Sequence, residues 1–125
     1  MSRVSGDAPY EGTERRRAER FRVRLPCRWE GRRDGEAATV TDLSTDGAFV
    51  LSKDLVETGE LVKLELLLPG GVITLWGHVI YKAEEIGFGL RFTPFQHEDD
   101  RRKLHLLARA EGVREAKRKK KSLPF

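Results

Sequence analysis

Apolar and polar residues alternate with a period of two through most of the chain, and the period changes near the C-terminal end. Phe21, Val23 and Leu25 alternate with Arg22, Arg24 and Pro26, and Trp29 follows. This pattern predicts a strand with one buried face. A charged turn spans Gly31 to Gly35. Residues 37–43, with Ala38, Val40 and Leu43 apolar, and residues 48–51 predict a second and a third strand. The clearest alternation is Leu61 to Leu68, where Val62, Leu64, Leu66 and Leu68 interleave with Lys63 and Glu65. Pro69, Gly70 and Gly71 predict a hairpin turn into a long return strand, Val72 to Lys82. Gly77 inside that strand predicts a bulge or bend. An acidic turn at Glu84 and Glu85 leads to a last strand, Gly87 to Phe92.

Beyond Phe92 the period becomes helical. Thr93, Pro94 and Gln96 read as a capping box with proline in the first helical position. Glu98, Asp99 and Asp100 fall early, where the helix dipole favours acids. Leu104, Leu107 and Ala108 form an apolar stripe, and Gly112 predicts the stop. The expected fold is therefore all-β with one helix: a six-stranded antiparallel β-barrel followed by a C-terminal α-helix. Barrel closure removes the exposed edges of such a sheet, and the helix can cover one mouth. Residues 14–112 form the domain. Residues 1–13 are polar and aperiodic, and residues 113–125 form a basic tail; both are expected to be disordered. Phe21, Phe49 and Phe92 are assigned to the core.

Charge changes this picture in two places. The chain of 125 residues has a net charge of +4. The segment from Val113 onward carries six Lys/Arg against Glu115 alone, so the remainder is nearly neutral. The Lys117–Lys121 cluster could address nucleic acid, an acidic protein or a membrane surface, or be a solvated end. A second concentration, Arg15 to Arg28, holds seven arginines and no lysine. The guanidinium fork suits phosphates and base edges better than a point charge does. No apolar run approaches the roughly 18 residues of a membrane span. With Cys27 the only cysteine and no signal-peptide layout, a soluble cytoplasmic protein is expected.

Two segments are denser in chemistry than a core requires. Arg16 and Arg20 stand in an R-x-x-x-R spacing with Arg15 in front, just before the first strand. Asp42-Leu43-Ser44-Thr45-Asp46-Gly47 reads D-x-S-x-x-G between the second and third strands. Together, and in this order, they resemble the PilZ domain, a bacterial receptor family for cyclic di-GMP. The later Gly77–Tyr81 and Gly87–Phe92 segments and the terminal helix extend the resemblance over about residues 14 to 112. It implies that Arg15, Arg16, Arg20, Asp42, Ser44 and Gly47 bind the nucleotide and that a downstream protein partner reads the result. Arg15 before the pair further implies a stacked, two-molecule form of the ligand.

The residues suit those roles. Arginine can fork onto guanine O6 and N7 and neutralise phosphate. Asp42 can accept from the guanine N1–H and N2–H₂ donors. Ser44 can offer its hydroxyl or brace the turn. Gly47 is expected either to take a positive φ or to permit a close approach. The arginine segment is expected to be mobile when empty and to order on binding. Tyr81 and Trp76 are assigned chiefly to barrel core and rim, with a place beside the ligand as the alternative.

An enzyme is not expected. The chain shows no paired carboxylates, nucleophile elbow or glycine-rich phosphate loop, and Ser44 has no histidine to serve as its base. His78, His97 and His105 are dispersed, which argues against a metal site, and no cofactor is implied. Gly87–Phe92 brushes against an RNA-recognition signature, but Ile86 stands where a basic residue belongs, and the helices of that fold are missing.

Overall fold

A computed structural model describes residues 18–32, 38–53 and 55–121. Within them lie strands β1 (Phe21–Glu30), β2 (Ala38–Leu43), β3 (Gly47–Leu51), β4 (Leu61–Leu68), β5 (Gly71–Ala83) and β6 (Gly87–Phe92), then helix α1 (Glu98–Lys121). The strands close into an antiparallel barrel in the order β1-β2-β3-β6-β5-β4. The period-two pattern decides which residues go inside. On β1, Val23, Leu25, Cys27 and Trp29 are buried, and Arg22, Arg24, Pro26, Arg28 and Glu30 are exposed. Trp29 meets Phe88 edge-on at 5.2 Å between ring centroids. Its indole Nε1 donates to the Ser52 hydroxyl at 3.1 Å, which satisfies the one polar atom it carries inward. Among the described residues, no helix is long and apolar enough to cross a membrane.

Each exposed arginine of β1 faces an acid on a neighbouring element. Arg22 pairs with Asp42 of β2 at 3.4 Å, Arg24 with Glu115 of α1 at 3.5 Å, and Arg28 with Glu65 of β4 at 3.3 Å. The arginine-rich strand is thus locally balanced. The pairs to Asp42 and Glu65 sit at the solvent-facing surface and contribute little stability, so their effect is mainly on where charge is presented; Glu115, by contrast, is buried.

Four expectations change. The helix begins at Glu98 rather than at Pro94. Thr93 remains bonded to the barrel, its N–H and hydroxyl both donating to the Trp76 carbonyl, at 2.8 and 3.3 Å. At its far end the helix continues through Gly112 to Lys121, so residues 113–121 are helical rather than a disordered tail. Gly112 is a packing gap, not a stop: a Cβ there would lie 3.1 Å from the Phe21 Cβ. One turn further on, buried Glu115 is held by Arg24 of β1 and by Arg118. Residues 122–125 and 1–13 lie outside the described residues. Gly77 keeps its pairing with Val62 and Phe92, and the irregularity in β5 falls between Val79 and Tyr81. Phe49 lies outside the core, between buried Ala48 and Val50 on the opposite face of β3. Phe92 is in the core and Phe21 packs against it.

Cys27 is fully buried, and desolvation pushes its thiol up to about 12. The thiolate is the reactive form. Ellman's reagent near neutral pH should therefore react with Cys27 only after denaturation; prompt reaction of the folded chain would contradict this placement.

Candidate ligand-binding site

The Asp42–Gly47 segment is the end of β2 and the tight turn into β3. Leu43 is buried and anchors it from below. Ser44 is 5% exposed, and its Oγ accepts from the Asp46 N–H at 3.0 Å and the Gly47 N–H at 3.2 Å. The Ser44 N–H donates to the Gly47 carbonyl at 2.9 Å, and the Asp46 carbonyl accepts from the Phe92 N–H at 2.7 Å. Of the two roles expected for Ser44, these bonds supply the bracing one. Gly47 does not take a positive φ. Its need is space: a Cβ would sit 2.1 Å from the Leu90 carbonyl oxygen, inside the β3–β6 pairing.

Asp42 stands on the outer face because β2 breaks its regular register beside it. Shifts between Arg22 and Leu25 on one side, and between Val40 and Asp42 on the other, leave Thr41 and Asp42 both half-exposed. Such an irregularity re-aims a side chain. One Asp42 oxygen lies 3.4 Å from the Arg22 Nε, and the other accepts from the Thr41 hydroxyl at 3.0 Å.

The register then lays out a continuous exterior row: Arg22, Asp42, Phe49, Gly89 and Tyr81, each paired with the next across adjacent strands. At about 4.8 Å per strand, Tyr81 starts about 14 Å from Asp42. Its ring leans back over Gly89, where a Cβ would come within 2.4 Å of it, and reaches Phe49 at 5.9 Å between centroids. Phe49 and Tyr81 thus form an aromatic surface next to Asp42. Phe49 is the neighbour that sequence reasoning missed, although the buried residues on either side of it point it outward. Trp76 is outside this row; it pairs with Lys63, five residues before Tyr81 on β5.

Arg20 is exposed and immediately precedes Phe21, which pairs with Leu43. The leader therefore enters the barrel alongside the Asp42–Gly47 turn, at the same end of the β1–β2 pair. Arg20 has no acidic partner among the described residues. Arg15 and Arg16 lie outside the described residues. On the other side of Arg22, an open groove of about 370 Å³ runs between β1, β2 and the last turns of α1, lined by Arg22, Arg24, Thr39, Thr41, Glu115 and Lys119. Among the described residues, no three His, Cys, Asp or Glu side chains gather as a metal site would require.

The PilZ domain family model matches residues 14–109, spanning the leader, the turn, the barrel and much of the helix. The chain belongs to the PilZ family, a family of cyclic di-GMP receptors. This PilZ fold is similar to the PilZ domain with c-di-GMP of YcgR from Escherichia coli. That match has a TM-score of 0.70 and 18% identity, and covers 87% of this chain and 99% of the other. It is also similar to the Bacillus subtilis inhibitor of motility MotI/DgrA, with a TM-score of 0.59 and 15% identity, over 80% of this chain and 52% of that one. A third likeness is to the PilZ domain of CeSA from a cellulose synthesizing bacterium, with a TM-score of 0.54 and 17% identity over 74% and 96% of the two chains. No curated protein matches the sequence.

The braced turn predicts a stability effect. Ser44→Ala removes the acceptor for two backbone N–H groups in a buried corner, which should cost about 1–3 kcal/mol. Urea unfolding measures it, and an unchanged midpoint would show that the hydroxyl does not support the turn.

Proposed function

We propose that this PilZ domain is a receptor module that binds cyclic di-GMP between its arginine leader and the Asp42–Gly47 turn, and signals through a partner protein. One observation carries the reading. The β1–β2 register brings the entry point of the leader, at Arg20, beside the turn that presents Asp42.

The chemistry of the ligand matches what these residues offer. Its guanines present O6 and N7 to arginine forks, and its phosphates attract the same guanidinium groups. Asp42 accepts from the opposite guanine edge, while Arg22 keeps a cation beside the carboxylate. Phe49 and Tyr81 supply an aromatic face that a purine can stack on. Arg16 and Arg15 reach the ligand from the leader, with Arg15 supporting a stacked pair of ligand molecules. Closure of the leader over the nucleotide changes the surface presented to a partner, so binding and signalling are linked.

Isothermal titration with cyclic di-GMP tests this directly. Binding is expected with two nucleotides per chain, and a stoichiometry of one would remove the role given to Arg15. Arg16→Ala, Arg20→Ala and Asp42→Ala should each cost about 1.5–3 kcal/mol through loss of a charged hydrogen bond. That corresponds to roughly a tenfold to hundredfold weaker Kd. No binding at ligand concentrations on the order of tens of micromolar would overturn the receptor reading and leave a ligand-independent adaptor on the same fold.

A further inference from the structure

Helix α1 buries one face against the barrel and leaves the other in solvent. Leu104, Ala108 and Glu115 are buried on the barrel side. At 100° per residue, the opposite face is centred on Leu106, Ala110 and Val113. All three are exposed, Leu106 at 56% and Val113 at 51%. Lys117 continues this line, with Arg102, Arg109 and Lys120 on one flank and Lys103 and Arg114 on the other; every one of these cations is exposed. From Arg102 to Lys120 the helix has eight Lys/Arg and two Glu. Both of those acids turn toward the barrel, with side-chain exposures of 12% for Glu111 and 7% for Glu115. The solvent face of this stretch is thus an apolar stripe bordered entirely by cations.

We propose that this outer face of α1 docks on an anionic lipid bilayer. The cations meet the negative surface potential, and Leu106 and Val113 enter the headgroup boundary between them. Charge complementarity alone would equally admit nucleic acid. Leu106 and Val113 decide between them, because a phosphate backbone is met by the cations and gains nothing from apolar side chains at the centre of the contact. The three acids of the first turn, Glu98, Asp99 and Asp100, repel the same surface. They direct contact to the later turns of the helix.

Co-sedimentation of the full chain with vesicles, in the absence of nucleotide, tests the proposal separately from the receptor reading. Binding is expected to vesicles of equal parts phosphatidylcholine and phosphatidylglycerol, and not to phosphatidylcholine alone. Raising the salt concentration should weaken it. Lys117→Glu with Lys120→Glu should weaken partitioning by about tenfold or more. Leu106→Ser with Val113→Ser should also weaken it, at unchanged charge. All four positions are exposed, and circular dichroism checks that each variant stays folded. Failure to bind the anionic vesicles overturns the proposal. So does equal vesicle binding by the Leu106→Ser/Val113→Ser variant, or tight binding to duplex DNA or RNA with none to vesicles, which would assign the face to nucleic acid.

Discussion

The arrangement depends on the antiparallel pairing of β1 with β2. Phe21 opposite Leu43 and Arg22 opposite Asp42 tie the entry of the chain into the barrel to the exit of β2 into its tight turn. Period-two burial enforces that register, because a slip by one residue would expose Val23 and Leu25 and bury Arg22 and Arg24. The cost of burying arginine therefore protects a spatial relation between two segments more than twenty residues apart in sequence. Barrel closure extends the relation, since the next three pairings carry the Asp42 row on through Phe49 and Gly89 to Tyr81.

Charge on the exterior follows from the same pairing. The arginines of β1 are met by acids from β2, β4 and α1, which leaves that strand nearly neutral in effect. Arg20, just outside the strand, has no such acid among the described residues. The distinction between the paired strand arginines and Arg20 lies in contacts across elements, not in composition. The helix separates its charge as well: Glu111 and Glu115 turn inward, and the cations at residues 117–120 remain outside.

Much of this was legible in the sequence. The strands were recoverable because each buries one face against a single core, and alternation records that directly. The D-x-S-x-x-G turn was recoverable because Ser44 closes it locally, accepting from two N–H groups, although its glycine answers to the Leu90 carbonyl on β6. The misreadings arose where a distant element overrides a local signal. Gly112 has the chemistry of a helix stop, yet Phe21 explains the glycine and Arg24 holds the next turn through Glu115. Thr93 has the chemistry of a cap, yet the Trp76 carbonyl claims it. Hydrophobicity alone sends Phe49 inward, although the parity of Ala48 and Val50 points it out beside Asp42. Placing Tyr81 in the Asp42 row, and Trp76 outside it, needed the strand order as well as the strands.

Receptor function as proposed requires the arginine leader and the 42–47 corner to hold the same nucleotide. A paramagnetic label attached through Arg17→Cys measures it most directly, since buried Cys27 is shielded from the labelling reagent. With cyclic di-GMP bound, the label should broaden the amide signals of Asp42 to Gly47 selectively. Saturating nucleotide that leaves those signals unbroadened, with the effect falling elsewhere on the barrel, would rule out a shared site.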